Sequence, residues 1–516
     1  MNVIDLLTRT AATFPDKAAL IHQEQRISFG ELWSAVSRLA SRLQQLNLAP
    51  GSRVAILFEN SIDYAVSFFA VFESGLVAVP LDTSLGPENH NFILADCQAS
   101  VLLVQGRYRR HLGRILGDNL SLRLLVSDKP VAVPGSTVAV ETFEEIGVRD
   151  VRVDPPAVPE SAGDDTHHHE LAAIFYTSGS TGSSKGVMLS HLNLVSNTLA
   201  TVEYLRLTPD DSVLVILPFY YIYGNSLLLT HVAVGGTLVI DNRFMYPEVV
   251  LDTMEREEVT GFSGVPSNFM ILLNNSTFAS RKLEHLRYFT QAGGAMAPEV
   301  IRKLMDAFGH KEIFIMYGQT EAAPRVTWLP PEKLSEKLGS IGIPVPGVTV
   351  EVLSESGQTV IPGETGEITV VGDNVMLGYW NQPEETAEVL HDGRLYTGDL
   401  ARVDEDGYFY VVGRKREIIK TGGHRVSAKE IEERILEHEK VAEATVFGVR
   451  DDILGEAIRA VVVLRPGCQA DEKEIQSHCQ KKLAAHQIPK RVQFMDALPK
   501  YQSGKVNKMA LKNRDS

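Results

Sequence analysis

The run from Tyr176 to Val187 reads Y-T-S-G-S-T-G-S-S-K-G-V and constrains the fold of this 516-residue chain more than any other segment. Glycine lets the main chain approach a ligand closely, while exposed N–H groups and hydroxyls bind anions. Lys185 adds a mobile positive charge. The apolar segments Leu171–Tyr176 and Val187–Leu189 flank the run and are typical of strands. A turn of this kind between two strands is suited to a polyphosphate.

A P-loop and a flexible surface turn are the two other interpretations of this glycine-rich loop. A P-loop, G-x-x-x-x-G-K-[ST], has glycine directly before the lysine and serine or threonine directly after it. Here Gly182 stands three residues before Lys185, and Gly186 follows it, so the P-loop is excluded. A flexible surface turn fits the composition as well as a phosphate site does, and the loop alone leaves both interpretations open.

Further motifs follow along nearly the whole chain. They are S-F-G-E-L-W at Ser28–Trp33, the segment Gly51–Leu81, Y-G-Q-T-E at Tyr317–Glu321, Y-T-G-D at Tyr396–Asp399, G-R-K-R at Gly413–Arg416 and P-x-x-x-x-G-K at Pro499–Lys505. Together with T-S-G-S-T-G-x-x-K-G, they resemble the motifs of the adenylate-forming superfamily, which includes acyl-CoA synthetases, adenylation domains of peptide synthetases and beetle luciferases. The resemblance implies that ATP and Mg²⁺ activate a carboxylic acid as acyl-AMP, which then reacts with a thiol.

Composition and charge narrow the class of protein. Apolar residues make up 44% and charged residues 22% of the chain, as in water-soluble globular proteins. The three cysteines are scattered, the first residues do not resemble a secretory signal, and no run of about eighteen apolar residues is present. We therefore expect a cytoplasmic protein without an integral membrane segment. The net charge of −15 argues against nucleic acid as a partner.

Hydrophobic periodicity predicts an α/β fold. Glu31 to Leu46 has the period of a helix, and Val54–Leu57 and Val77–Leu81 are typical of buried strands. Beyond Gly339, short apolar runs alternate with Gly and Pro turns, which predicts a small β-rich subdomain. We expect a large N-terminal domain of layered α/β subdomains plus this β-rich subdomain at residues 1–412, a hinge at 413–416, and a mobile small α+β lid domain at 417–516.

The resemblance assigns ATP-binding roles to motif residues. The phosphates are expected at Thr177, Ser178, Gly179, Ser180, Thr181, Gly182 and Lys185. Glu321, beside Thr320, is expected to bind Mg²⁺, which prefers oxygen ligands. The base and ribose are expected at Gly293, Gly294, Ala295, Tyr317, Gly318, Gln319, Asp399 and Arg414, with the last two facing the ribose hydroxyls.

The motifs near the C-terminus imply catalytic and mechanical roles. Lys505 is the expected catalytic cation, bridging the substrate carboxylate and the α-phosphate. Arg416 occupies the expected pivot of the small domain. Lys420, Gly422 and Gly423 follow it and are expected to border the channel for the pantetheine arm. A tight turn is an equally good interpretation of the two glycines.

The acyl pocket is expected at Tyr221, Tyr223 and Asn225, in the segment P-F-Y-Y-I-Y-G-N. Aromatic rings there predict a largely apolar cavity with hydroxyl groups for hydrogen bonding. No acidic residue lies between Val213 and Ile240, so a substrate ammonium would lack a partner in this segment. We therefore expect acids with uncharged aliphatic or aromatic tails to be better substrates than α-amino acids.

The sequence says less about the identity of the acceptor thiol than about the adenylation step. CoA is the expected acceptor, and the phosphopantetheine of an acyl carrier protein is the alternative, since no carrier domain is fused to this chain. An oxidative, luciferase-like outcome is a more distant alternative. A non-enzymatic AMP-sensing module is disfavoured because Glu321 and Lys505 are both present.

Overall fold

The computed structural model describes residues 1–117, 121–133, 137–150, 156, 168–178, 184–451, 453–500 and 506–512. Five residues of the predicted site lie outside this part of the chain: Gly179, Ser180, Thr181, Gly182 and Lys505. Among the helices described, none has the length and apolar character needed to cross a membrane.

The first part of the chain alternates helices and strands, as its periodicity predicts. Its helices are α1 (Val3–Thr13), α2 (Phe29–Gln44), α3 (Ile62–Glu73), α4 (Pro87–Asp96), α5 (Leu112–Leu116) and α6 (His191–Leu205). Its strands are β1 (Ala18–His22), β2 (Gln25–Ser28), β3 (Arg53–Leu57), β4 (Val77–Pro80), β5 (Val101–Val104), β6 (Leu124–Ser127), β7 (Ala139–Thr142), β8 (Leu171–Ser178) and β9 (Ser184–Ser190).

Helix α2 is the helix predicted at Glu31–Leu46, and its start is determined by a capping box. Ser28 Oγ accepts a hydrogen bond from the Glu31 N–H at 3.2 Å, and the Glu31 carboxylate accepts one from the Ser28 N–H at 2.7 Å. These two bonds satisfy N–H groups that a helix start would otherwise leave unpaired. The helix therefore begins at Phe29, two residues before the predicted start.

The next part of the chain repeats the alternation. Its helices are α7 (Ile222–Val234), α8 (Pro247–Arg256), α9 (Pro266–Asn275) and α10 (Pro298–Phe308). Its strands are β10 (Ser212–Val215), β11 (Thr237–Ile240), β12 (Gly261–Gly264), β13 (Tyr288–Gln291), β14 (Glu312–Gly318), β15 (Arg325–Leu329) and β16 (Ile343–Pro344).

Two mainly parallel sheets organise these elements. One has the strand order β2-β1-β11-β10-β12-β13-β14-β15-β16, so β1 and β2 from the N-terminus join strands more than two hundred residues away. The other has the order β7-β6-β5-β3-β4-β8-β9. Strands β10, β12, β13 and β14 are parallel, so the segments that follow them meet at one sheet edge. That edge is the usual location of a ligand in such a sheet.

The predicted β-rich subdomain follows. Its strands are β17 (Val348–Leu353), β18 (Thr365–Gly372), β19 (Gly378–Tyr379), β20 (Leu390–His391), β21 (Arg394–Val403) and β22 (Phe409–Arg414), and its helix is α11 (Pro383–Val389). Strands β17-β18-β21-β20 form an antiparallel sheet to which β22 adds by pairing with β21. Strand β19 instead pairs with β9, which ties this subdomain to the second parallel sheet.

The C-terminal part forms a separate α+β unit. Its strands are β23 (Ile418–Thr421), β24 (His424–Ser427), β25 (Val441–Asp451), β26 (Gly455–Leu464) and β27 (Arg491–Phe494), and its helices are α12 (Ala428–Leu436), α13 (Glu472–Gln480) and α14 (Lys508–Lys512). The sheet order is β24-β23-β26-β25, with β27 parallel to β26. Buried side chains such as Ile431, Ile435, Val462 and Ile475 give this unit its own hydrophobic core. Since a core of its own is what defines a domain, this part is organised as one.

Candidate active site

Tyr317, Asp399 and Arg414 come together although they lie on three different strands. Tyr317, near the end of β14, donates a hydrogen bond from Oη to Asp399 Oδ2 at 2.7 Å. Arg414 donates from Nε to Asp399 Oδ1 at 2.8 Å, because Asp399 on β21 and Arg414 on β22 are paired across the hairpin. The carboxylate is therefore held at both oxygens and is buried.

Electrostatics reinforce this cluster. The Asp399 carboxylate raises the pKa of Arg414 above its ordinary value, so the guanidinium stays charged. Burial raises the pKa of Tyr317, and the neighbouring Asp399 carboxylate raises it further. The phenol therefore remains a hydrogen-bond donor throughout the physiological pH range. The cluster presents a buried anion whose orientation is set by one phenol and one cation.

The Y-T-G-D motif folds so that Asp399 takes this position. Thr397 Oγ1 accepts a hydrogen bond from the Asp399 N–H at 3.1 Å and donates to the Ile368 carbonyl at 2.9 Å. The Gly398 N–H donates to the Glu367 carboxylate at 3.0 Å. These bonds connect the motif to β18. Asp399 lies inside β21.

Glu321 forms a second cluster, with Tyr379 and Lys185. Glu321 lies in a short turn, Thr320–Ala322, directly after β14, and its carboxylate accepts a hydrogen bond from Tyr379 Oη at 2.8 Å. The Lys185 ammonium lies 5.0 Å from the centre of the Tyr379 ring. Burial raises the pKa of Tyr379, and the Glu321 carboxylate raises it further. Tyr379 thus contacts both charged groups and remains a donor to Glu321.

Sequence reasoning did not find Tyr379. Its position follows from β19, where Tyr379 is paired with Val187 on β9, two residues after Lys185. This long-range strand pairing brings the tyrosine next to Lys185, and the Met376 N–H, three residues before it, donates to the Glu321 carbonyl at 2.9 Å. The signal that could have identified it is the apolar G-Y-W run, which lies almost two hundred residues from the loop it contacts.

The phosphate-loop prediction is only partly within the described residues. Strand β8 ends at Ser178 and β9 begins at Ser184, and Thr177 is paired with Lys185 across this antiparallel hairpin. The flanking strands are therefore where the sequence placed them. Gly179, Ser180, Thr181 and Gly182 lie outside the described residues, so their predicted contacts with phosphate stay a prediction.

The glycine residues expected near the base lie in two segments at the converging edge of the first sheet. Gly293, Gly294 and Ala295 lie between β13 and α10, and Gln291 Nε2 donates to the Gly294 carbonyl at 2.8 Å. Gly318 ends β14 and is followed by Gln319. A Cβ at Gly318 would lie 1.7 Å from the Pro324 carbonyl oxygen, so any other residue would displace the backbone here.

Two of the residues predicted to form the acyl pocket are deeply buried. Tyr221 precedes α7, is half-buried and packs against a cluster that includes Ala292. Tyr223 is buried, and its Oη donates to the Thr290 carbonyl at 3.1 Å. Asn225 is completely buried. All three lie at the start of α7, which follows β10 at the edge where the other site segments meet.

The predicted hinge and channel residues follow β22 in the chain. Arg416 lies in the turn Lys415–Glu417 and is 3.4 Å from Glu388. The Lys420 N–H donates to Glu456, and the Gly422 N–H donates to the Leu454 carbonyl, so their described bonds run within the C-terminal sheet. Gly422 and Gly423, with φ of 57° and 80°, form the two-residue turn between β23 and β24. The tight-turn interpretation is thus confirmed, and the channel role stays a prediction.

Comparison with known proteins agrees with this geometry. A family model described as "AMP-binding enzyme" matches residues 7–380, and one described as "AMP-binding enzyme C-terminal domain" matches residues 430–505. A feruloyl-CoA synthase of Amycolatopsis sp. is 34% identical to this chain over 508 residues, which are 98% of this chain and 97% of the relative.

Solved structures with bound nucleotide also superpose on the whole chain. ATP-bound MatB from Rhodopseudomonas palustris has a TM-score of 0.87 at 31% identity and covers 100% of this chain and 99% of its own. The anthranilate CoA ligase AuaEII, in complex with anthranoyl-AMP, has a TM-score of 0.88 at 26% identity and covers 100% of this chain and 97% of its own.

The chain belongs to the AMP-binding enzyme family. Within that family it is an acid–thiol ligase of the AMP-forming type, since its curated relatives across the full length are CoA ligases and synthases. The predicted family, the α/β architecture with a large and a small domain, and the enzyme class are thereby confirmed.

Proposed function

We propose that this protein uses ATP to activate a carboxylic acid as acyl-AMP and then transfers the acyl group to CoA. The observation that carries the proposal is the convergence of Tyr317, Asp399 and Arg414, which come from three separate motifs, on a single cluster. Glu321 follows Tyr317 by four residues and is held by Tyr379. The segment from Tyr317 to Glu321 therefore links the group proposed for the ribose to the group proposed for the metal and phosphates of a nucleoside triphosphate.

The Asp399 cluster is proposed to bind the ribose. A carboxylate accepts two hydroxyl protons well, and Tyr317 and Arg414 orient this one before the ligand arrives. The strand that carries Lys185 and the predicted phosphate loop is proposed to hold the β- and γ-phosphates. A lysine ammonium and backbone N–H groups next to glycine suit such an anion.

Glu321 is proposed to bind Mg²⁺, which this family implies. Its carboxylate offers the hard oxygen ligand that this ion prefers, and the bond from Tyr379 Oη at 2.8 Å fixes its orientation. Thr320, the preceding residue, is buried and shapes the turn that carries Glu321. When bound, Mg²⁺ neutralises phosphate charge.

The chemistry takes two steps. In the first, a carboxylate oxygen attacks the α-phosphorus, the bond to the leaving oxygen breaks, and pyrophosphate departs. Lys505, which lies outside the described residues, is proposed to offset the negative charge that develops between the two anions. In the second, the thiol sulfur attacks the acyl carbon, AMP leaves, and the thiol proton is lost to solvent.

The second step is proposed to require rotation of the C-terminal domain, residues 417–516, about a hinge at residues 413–416. The support is that the sheet containing β22 ends at Arg414, the sheet containing β23 begins at Ile418, and the second unit has its own core. The short segment between them, including Arg416, can change conformation without breaking a strand of either sheet.

CoA is the proposed acceptor because the relatives reported above are CoA ligases and synthases, and none of them supports a carrier protein. A cytoplasmic location is also proposed, supported by the free state of Cys97, Cys468 and Cys479.

The test is a screen of carboxylic acids that records pyrophosphate release and thioester formation separately. CoA and a phosphopantetheinylated carrier protein are offered in parallel, with Glu321→Gln as the control for the active site. We expect acid-dependent pyrophosphate release and acyl-CoA for at least one class of acid, both strongly reduced in the control. AMP binding without pyrophosphate release from any acid would contradict the proposal and favour a sensing module.

A further inference from the structure

Arg325 is a buried arginine whose backbone is tightly held. It begins β15, four residues after Glu321, and is only 2% exposed. Its N–H donates to Asn197 Oδ1 at 3.0 Å, and its carbonyl accepts from Asn197 Nδ2 at 2.7 Å and from Asn374 Nδ2 at 3.2 Å. These bonds fix the Cα position, so the side chain has a defined starting point in the interior.

The guanidinium of Arg325 is in contact with neutral groups. One of its nitrogens donates to Ser226 Oγ at 3.2 Å, and its central carbon lies 4.1 Å from the centre of the Tyr223 ring. Its Nε is buried and has no hydrogen-bond partner. In the part of the chain that the structure describes, no carboxylate lies within ion-pair distance of it. A guanidinium has five N–H donors, and the groups that meet it here, the hydroxyls of Ser226 and Tyr204, are neutral.

Two buried carboxylates among the described residues are each paired with an arginine. The Asp211 carboxylate is 2.9 Å from Arg287, and the Asp241 carboxylate is 2.7 Å from Arg243. Both carboxylates are almost fully buried. A buried charge without a partner is strongly unfavourable, and proteins normally pair it or bind a ligand with it. Arg325 differs from these two pairs, because the polar groups that meet its guanidinium are neutral.

The guanidinium lies next to Tyr223, one of the residues predicted to form the acyl pocket. Tyr223 separates it from the loop after β13, because a Cβ on Gly293 would lie 4.0 Å from Tyr223 Cδ1. The ring of Tyr223 thus has Arg325 over its face and Gly293 near its edge. The positive charge also opposes the burial that raises the pKa of Tyr223 and of Tyr204, which is consistent with a cation close to both phenols.

We propose that Arg325 determines the class of acid that this enzyme accepts, by binding a second carboxylate at the far end of the acyl chain. The substrate is then a dicarboxylic acid, with one carboxylate activated by ATP and the other paired with Arg325. This inference rests on the proposed function. It differs from the sequence-based expectation of an uncharged tail, because that expectation considered only the segment around Tyr221 and did not include a residue from β15.

The experiment compares a series of straight-chain dicarboxylates, each with the monocarboxylate of the same length, by ATP-dependent pyrophosphate release. The wild-type enzyme should prefer the diacid of the best pair by about 100-fold or more in kcat/KM, the effect typical of a buried charge pair. Arg325→Met should remove that preference, by reducing the diacid rate about 100-fold while the monoacid rate changes only severalfold.

Stability supplies a readout that is independent of catalysis. Methionine keeps the length of the side chain and removes an unpaired charge, so Arg325→Met should unfold at a temperature no lower than the wild type. Arg287→Met is the matched control, because it leaves the buried Asp211 carboxylate without its partner and should lower the unfolding temperature.

Each contrary result has a distinct meaning. If monoacids are preferred at every length, or if Arg325→Met slows both members of a pair equally, the substrate assignment is wrong and the proposed function stands. If Arg325→Met destabilises the protein as much as Arg287→Met does, Arg325 is a structural cation and the assignment is again wrong. If no acid of either kind releases pyrophosphate, the proposed function fails, and this inference fails with it.

Discussion

Hydroxyl groups of two tyrosines orient the two acidic side chains of the candidate site. Tyr317 donates to Asp399, and Tyr379 donates to Glu321, at 2.7 and 2.8 Å. Bonds from a phenol to a carboxylate are charge-assisted and therefore stronger than bonds between neutral groups. A substitution of tyrosine by phenylalanine removes the hydroxyl but keeps the ring. It therefore tests the orientation of the carboxylate without changing the packing of the ring.

Replacing Tyr379 by phenylalanine should weaken the use of Mg²⁺. The ring would still lie below Lys185, but the Glu321 carboxylate would lose the bond that orients it. We expect a roughly fivefold loss in kcat/KM for pyrophosphate release, and a higher Mg²⁺ concentration for half-maximal rate. Tyr410→Phe is the control, because its hydroxyl lies by Asp404, away from Glu321. An unchanged Mg²⁺ dependence would rule out the orienting role.

Lys505→Ala should separate the two half-reactions. If this lysine stabilises the adenylation transition state, its removal should slow acyl-AMP formation by about 10²–10³-fold, or roughly 3–4 kcal/mol. Thioester formation from synthetic acyl-AMP should be largely spared, because that step does not use the same cation. Lys512→Ala, on α14, is the control for general effects on the C-terminal domain. Pyrophosphate release at the wild-type rate by Lys505→Ala would disprove the assignment.

At the scale of elements, helix α7 is attached to β13 through a buried histidine. His231 Nδ1 lies 3.0 Å from the Leu227 carbonyl, and its Nε2 lies 3.1 Å from Tyr288 Oη. Burial lowers the pKa of His231 to about 4. In the unfolded chain a histidine has a pKa of about 6.5, so the unfolded state takes up the proton first as the pH falls.

His231 should therefore make the free energy of unfolding decrease as the pH falls. Its contribution is fully present above pH 6.5, is lost as the pH falls from 6.5 through about 4, and amounts to about 3 kcal/mol. Urea unfolding at several pH values in this window should show the free energy of unfolding of the wild type falling faster than that of His231→Gln. His285→Gln, at an exposed position, should behave like the wild type. Parallel curves for His231→Gln and the wild type would refute this contribution.

At the scale of the whole molecule, the C-terminal domain is proposed to rotate about the segment between β22 and β23. Arg416→Pro tests it, because proline fixes φ and restricts the preceding residue, so the segment cannot change conformation. Pyrophosphate release should continue at close to the wild-type rate, while thioester formation should fall by at least about 10²-fold if rotation is required. Arg416→Ala, which leaves φ free, should support both steps. Equal loss of both steps in Arg416→Pro would indicate misfolding or a different hinge.

The fold class and most elements follow from local sequence. Periodicity predicted α2 and strands β3 and β4, and Ser427 begins α12 by accepting a bond from the Glu430 N–H. The Glu430 carboxylate itself accepts a hydrogen bond from Gln487, so only the Ser427 hydroxyl caps this helix start. Helix and strand signals are local, so one sequence suffices to place them within a few residues. The motif residues Tyr317, Asp399 and Arg414 could be named for the same reason, as each lies in a short contiguous pattern.

The sequence by itself determined the architecture, the enzyme class and the residues that lie within contiguous motifs. Only the tertiary structure decided which distant side chains join them. Tyr379 is held near Glu321 and Lys185 where β19 pairs with β9, and Arg325, on β15, lies over the ring of Tyr223, on α7. Neither residue belongs to a motif. Tyr379 is important because it is buried and bonded to Glu321, and Arg325 because it is buried with an unpaired Nε. Burial and pairing are properties of three-dimensional packing, and no local pattern of residues encodes them.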